Sequence, residues 1–413
     1  MINRNTLRCA SCGAEVTVRI SFGLGEQQVH PFACPRCEIE IVVTVDLDQA
    51  AGSWRYRSPS NAAWLKEYGA KQAEFIKTFD SNNLIPRDTG GIPAFPFVMT
   101  SFNSKDPGRA RIAEAARQVA YTRTWPTIRR LRTHFDNRAI ALFDKEISTL
   151  GRELSGLTWQ ARTDIFCSIA ERFFAEFVLE TSSARKQADQ TARKALKSEP
   201  GRTTDYCREV VGSGHAKRLW NQLWEVRDLH LRLYPLLNAL LKFSTWKPRF
   251  KLADYYLSEK RFEEIRPLFA NAFEALSKLS TLAIAFELLS TRRPLEIPTK
   301  KNSLRLGDYD ELANGSKPDY LSKFAIGHLF LPYMDNHLRN GIGHNSAHYV
   351  IKDDAVWYRS SRRGKIVEKA IDYTAFVYKT IQIVGAVEVA AIFLNWALVL
   401  GQKNSVGLSK FRA

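Results

Sequence analysis

Two cysteine pairs, CASC at 9–12 and CPRC at 34–37, constrain this chain more than any other feature. A CxxC turn presents two thiolates from one tight loop, and two such loops supply the four sulfurs of a closed tetrahedral site. Cys9, Cys12, Cys34 and Cys37 are therefore expected to hold one structural zinc ion, with no coordination position open to substrate. The segments EVTVRI and EIEIVVTVDL, which follow the knuckles, alternate apolar with polar residues and predict two short hairpins ending near Asp48. The remaining cysteines, Cys167 and Cys207, stand singly in helical sequence. That usage fits a reducing cytoplasm better than a secreted disulfide framework. The opening residues MINRNTLRCASC show neither the apolar core nor the small-residue cleavage site of a signal peptide.

Beyond the ribbon the chain reads as mainly α. A Ser, Gly and Pro-rich stretch leads to a helix expected over 62–79, where Trp64, Tyr68, Phe75, Ile76 and Phe79 recur at helical spacing. Residues 80–107 are crowded with Pro and Gly and mark the best domain boundary. Helices are expected near 109–124, 126–150, 158–198, 204–244 and 260–291, with a breaker at Glu199 to Gly201 and an antiparallel pairing of the two longest. The last hundred residues predict a helix at 317–338, a hairpin (HYVIKDD with AVWYRS) and a closing helix over 367–401. The expected organisation is a zinc ribbon at 1–50, a linker with one helix at 51–107, a helical domain at 108–200 and a second helical domain at 201–413.

The stretch 380–400 (TIQIVGAVEVAAIFLNWALVL) is long enough to span a bilayer. Gln382, Glu388 and Asn395 interrupt it, and a carboxylate near mid-span would cost on the order of 3 kcal/mol to insert. A buried or dimer-interface helix suits it better than a membrane span.

The chain carries a net charge of +17. Such a balance favours polyanionic partners. The ribbon does not share it: residues 1–50 hold four arginines against six acidic residues, a net charge of −2, which leaves +19 on the rest. A docking role toward protein, or a fold-capping role, fits the ribbon better than the main phosphate contact.

Near the C-terminus the segment LRNGIGHN places Arg339, Asn340 and His344 in an Arg-x4-His pattern after one helix and before another. This resembles the ribonuclease signature of the HEPN superfamily, an Arg with a following polar residue, a short spacer and a His in an all-α domain. The resemblance covers about residues 205–413 and rests on this motif; the bare spacing also occurs at Arg129-x4-His134, a weaker match. It implies a HEPN-like helical domain, a metal-independent endoribonuclease, a homodimer in which motifs from two protomers meet, and a role as a bacterial toxin or anti-phage defence effector cutting tRNA, rRNA or mRNA. The alternative is a non-catalytic scaffold of the same class that binds RNA or protein.

The residue chemistry agrees with that implication. Attack by the RNA 2′-hydroxyl needs a proton shuttle near neutral pH, which His344 supplies. Charge developing on phosphorus needs a fixed cation, and Arg339 offers a planar fork matched to phosphate. Asn340 would orient one of them. On an ideal helix, positions five apart diverge by about 140°. Gly341 and Gly343 are expected to relax the backbone between the two groups. RNA contacts are expected from Arg359, Arg362, Arg363 and Lys365 just beyond the motif, and from Lys247 and Arg249, which alternate with aromatic residues. No Walker loop, dinucleotide fingerprint or HExxH competes with this site.

Overall fold

The computed structural model describes residues 2–65, 73–87, 107–151, 156–246, 251–299, 303–362 and 365–402. Helices dominate, behind an N-terminal β region. The chain forms two compact units, each assembled from three separate segments: 1–113, 232–268 and 337–381 in one, and 114–231, 269–336 and 382–413 in the other. The opening segment of the first unit ends at 113, close to the boundary expected at 107, and no unit boundary falls near 50 or 200. The helices His215–Trp246, Phe262–Ser290 and Tyr373–Leu400 each contribute residues to both units, so no single cut along the sequence separates the two cores.

In the first unit, the antiparallel strands Ile2–Cys9 and Glu15–Ser21 are joined by Ala62–Trp64 at one edge and, in parallel, by Phe75–Asp80 at the other. A second sheet aligns Gln27–Ala33, Glu40–Asp48 and Ser53–Tyr56. Each CxxC lies in the turn of one hairpin. Leu7, Val16, Val18, Ile20, Ile41, Val43 and Val45 form a common core with Phe79.

The helix expected over 62–79 is replaced by strands at both ends, with 66–72 outside the described residues. The error has a physical source: a spacing of four, as between Phe75 and Phe79, satisfies a strand's period of two as well as a helical turn. Ile76, which only the helical reading would bury, is 37% exposed, whereas Phe79 is 4% exposed.

The long helical runs are shorter than expected. The run from 126 stops at Asp136 and resumes at Ile140, with Arg138 between them at φ 52°. The run from 158 breaks between Ala175 and Ser182, and that from 204 breaks at Ser213 and Gly214, the latter at φ 74°. Pro200 opens the helix Pro200–Gly212 rather than a loop, taking a first-turn position where its missing N–H is harmless. Four helices therefore stand where two long ones were expected to pair.

Residues 317–338 fold as a short helix, Lys317–Leu321, followed by 3-10 turns. The chain doubles back so closely that a Cβ on Gly327 would stand 2.2 Å from the Leu321 carbonyl oxygen. The body is also not all-α. Ala347–Val350, Ala355–Arg362 and Lys365–Asp372 form a three-stranded antiparallel meander, and the closing helix starts only at Tyr373.

The closing helix, Tyr373–Leu400, is long and apolar enough to cross a membrane, but 94% of its most apolar window is buried inside the protein. Its mid-span carboxylate is matched. Glu388 accepts two hydrogen bonds from Arg227, at 2.9 and 2.8 Å, with both side chains only 1% exposed. Arg227 also lies over the rings of Phe174 and Trp224, at 4.4 and 5.0 Å.

Candidate functional site

The four knuckle sulfurs lie within 4.8 Å of one another, an arrangement that could hold a metal ion. Cys9 and Cys37 approach to 3.7 Å, and Cys12 and Cys34 to 3.6 Å. The two knuckles repeat one backbone pattern. The Cys9 carbonyl accepts the Gly13 N–H while its own N–H reaches the Ala14 carbonyl; the Cys34 carbonyl accepts the Glu38 N–H while its N–H reaches Ile39. Gly13 and Glu38 occupy the left-handed region that closes each turn, at φ 70° and 60°. Backbone N–H groups of Ala14 and Ile39 donate to Cys12 and Cys37; the bond from Ile39 helps hold the Cys37 thiol down to about 7, whereas burial and the neighbouring thiols outweigh the bond from Ala14 and push Cys12 up to about 12. N–H donors of this kind favour the thiolate, the form that ligates metals.

The ribbon is bound into its unit. Lys260 N–H donates to the Val29 carbonyl at 3.2 Å, and Arg261 reaches the Gln27 carbonyl at 3.3 Å. Lys352, in the meander's first turn, pairs with Glu38 of the second knuckle at 2.6 Å. That last pair is largely exposed and contributes little to stability.

Arg339, Asn340 and His344 come from one short helix, Asn336–Gly343, whose hydrogen bonding runs on through His344 N–H to the Asn340 carbonyl at 3.0 Å. The glycines do not break it. Gly341 instead answers to packing: a Cβ there would lie 2.7 Å from Tyr358 Cβ. On the same inner face His337 Nδ1 meets Ser360 Oγ at 3.1 Å, and just beyond the helix Ser346 Oγ donates to the Arg359 carbonyl at 2.8 Å. Leu338 and Ile342 are buried.

The outward residues are the ones singled out from sequence. Arg339 is half-buried, donates to Asn340 Oδ1 at 3.3 Å, and runs its guanidinium alongside Gly343. His344 is exposed, and its imidazole has no hydrogen-bond partner among the described residues. The helix is intact from Asn336 to Gly343, and on an ideal helix positions five apart point about 140° from one another.

Of the expected RNA contacts, Arg359 is exposed and pairs with Glu368 at 3.2 Å. Lys247, Arg249 and Arg363 lie outside the described residues, as do the side chains of Arg362 and Lys365. In the second unit many basic residues are engaged internally: Arg130 with Glu146, Arg132 with Asp136 and Asp228, Arg185 with Glu171 and Arg193 with Asp189. Arg129, Arg130 and Arg132 line a cleft of roughly 540 Å³ that also contains Asp136 and Asp228.

Sequence reasoning missed a buried polar cluster in the first unit. Lys260 bonds Asp354 and lies 4.6 Å from the Tyr373 ring centroid, with Tyr256 and Tyr349 at 5.7 and 5.9 Å. Asp354, at φ 48°, also accepts from Tyr349 Oη at 3.0 Å and so fixes the meander's first turn. Nearby, Ser81 Oγ stands 3.5 Å from His30 Nε2, and Ser81 works against the rise of the Glu259 carboxyl. Burial pushes His30 down to about 4 and Glu259 up to about 7. In sequence, SEKRFEE reads as a solvated helix start, and nothing marks two of its charges as buried. No family model, curated protein or solved structure matches this chain.

Proposed function

We propose that this protein is an endoribonuclease that cleaves RNA through the substrate's own 2′-hydroxyl, with no metal ion needed in that step. The observation that carries the proposal is the outer face of the helix Asn336–Gly343. It offers a guanidinium tied to an amide, followed by a free imidazole, on a helix bolted down along its other side.

In this reading His344 takes the proton from the 2′-hydroxyl and returns one to the leaving 5′-oxygen, as general base and then general acid. Arg339 binds the scissile phosphate and stabilises charge on its oxygens. Asn340 holds the guanidinium in register. Because the two groups of one chain diverge, Arg339 of one protomer and His344 of a second act on the same phosphate, which requires a homodimer. The four cysteines hold zinc, whose role is structural. The setting is cytoplasmic, and the biological role implied by the HEPN resemblance is that of a toxin or anti-phage effector.

The test is incubation of purified protein with total RNA and with DNA in excess chelator, beside His344→Ala and Arg339→Ala. Cleavage of RNA alone, leaving 2′,3′-cyclic phosphate ends and lost in both variants, is the expected outcome. Full activity in His344→Ala would refute the site.

A further inference from the structure

We propose that the helix pair Trp125–Asp136 and Ile140–Ser148 is a peripheral docking face for an acidic membrane surface. The two helices run antiparallel, since Arg130 bonds Glu146 across a turn centred on Arg138. That bond lies along their seam, and helical spacing sorts the remaining residues to either side of it. Ile128, Leu131, Phe135, Phe143 and Ile147 are buried on one side. Pro126, Arg129, Leu142 and Lys145 are exposed on the other, so the two helices present one common surface. Upstream on the same helical run, Val119 and Arg123 are exposed as well.

The face carries charge without a counter-charge. All three carboxylates of 119–150 are held by arginines of the same chain: Asp136 by Arg132, Asp144 by Arg162 and Glu146 by Arg130. Arg123, Arg129, Arg138 and Lys145 are exposed, and no ion pair engages them among the described residues. Arg129 also lines the cleft of roughly 540 Å³, a volume within the range that holds a small ligand such as a lipid headgroup.

The same stretch exposes aliphatic side chains. Of the eight large hydrophobic residues exposed among the described ones, four (Val119, Ile140, Leu142 and Leu150) lie within 119–150. Leu142 is 52% exposed and Val119 50%, and both stand beside free cations on the face.

Acidic lipid satisfies both properties together. Anionic headgroups meet the free cations while the aliphatic side chains enter the boundary with the acyl chains. RNA would use the charge but leave Val119 and Leu142 without a partner, and none of the outward residues is an aromatic ring on which a base could stack. A second copy would set like charges against each other. Attachment through this face leaves the closing helix in the core.

The experiment floats the full-length protein with vesicles of phosphatidylcholine alone and of phosphatidylcholine with about 30% phosphatidylserine, over a range of salt. Binding to the acidic vesicles only, weakening as salt rises, is expected. Arg129→Ala with Lys145→Ala should cut it by about 20- to 30-fold, at about fivefold for each charge near the surface. Leu142→Ser should cut it by about 3- to 10-fold with the salt dependence unchanged, because aliphatic insertion is not screened. All three positions are exposed, so the core is spared. Equal binding to both vesicle types, no binding to either, or full binding in the Arg129→Ala, Lys145→Ala protein would overturn the proposal. Unchanged vesicle affinity in Leu142→Ser would overturn it too; if the charge variant then lost affinity for single-stranded RNA, the face would belong to RNA.

Discussion

Replacing Glu388 by alanine should be among the most damaging single changes in the second unit. The substitution leaves the Arg227 guanidinium 1% exposed, on the rings of Phe174 and Trp224, with its two carboxylate hydrogen bonds gone. A buried ion pair broken on one side typically costs about 3–5 kcal/mol, because the surviving charge can neither reach water nor find a new partner. Removing both charges is a different matter. Arg227→Met with Glu388→Leu fills similar volume with apolar atoms and should lie within ~1–2 kcal/mol of wild type, on either side. Urea denaturation followed by far-UV circular dichroism, run on both single variants and the double, gives a coupling energy expected to exceed about 2 kcal/mol. A Glu388→Ala protein within ~1 kcal/mol of wild type would show that the pair is not the buried, mutually dependent contact described here, and the case for the closing helix as a core element would weaken with it.

Four further outcomes follow from the same geometry. Gly341→Ala should destabilise by roughly 1–2 kcal/mol because overpacking against Tyr358 outweighs the gain in helix propensity, whereas Gly343→Ala, facing only the Arg339 guanidinium at 3.9 Å, should be neutral or stabilising; thermal melts of the pair read the opposite signs. Glu259 has its carboxyl raised to about 7 by burial, so the fold holds a proton that the unfolded chain releases above its ordinary range near 4.5. Stability from this group is therefore lost as pH rises through about 7, and Glu259→Gln should gain stability over wild type at pH 8 but not at pH 4, as urea titrations at the two pH values would show. His30 acts in the opposite sense, its contribution fading as pH falls from the usual 6.5 toward about 4, which is why the single substitution is compared at both ends. Mixing His344→Ala with Arg339→Ala should restore about a quarter of wild-type cleavage if each active site draws on two copies, since half of randomly paired dimers are mixed and each has one intact site; no recovery after subunit exchange would exclude the shared site. Elemental analysis should find one zinc per chain, absent in Cys12→Ser, and that variant should lose hydrogen-exchange protection at 258–261 as well as in the ribbon, because Lys260 N–H is bonded to Val29.

The metal knuckles and their hairpins were legible in the sequence because their determinants are local: a fixed cysteine spacing, alternating strands and turn residues. The motif helix was not: the expected helix ended at 338, and Gly341 and Gly343 were read as loosening the backbone where Asn336–Gly343 is helical. Gly341 answers to Tyr358, seventeen residues on and across a strand, and local pattern alone read it as a hinge. The helix expected over 62–79 failed where Phe75 and Phe79 fit two periodicities at once, and only pairing with Glu15–Ser21 decides between them. Breaks at Arg138 and Gly214 escaped notice because a single left-handed residue ends a helix without any cluster of Pro or Gly around it. The buried set of Lys260, Asp354, His30 and Glu259 was illegible in principle, since its members come together from opposite ends of the chain and none carries a mark of burial.

The segmental make-up of the first unit has a consequence for how the protein is born. Residues 1–113 leave the ribosome first, yet their partners at 232–268 follow much later, and 337–381, which includes the proposed catalytic helix, later still. Domains made of one continuous stretch can close as soon as they emerge. Here the first segment must wait for its later partners, 232–268 and 337–381, before its unit is complete. The knuckle cysteines, which could hold a metal ion, are in place throughout that interval, and the surface that would meet RNA is completed only once 337–381 has been made.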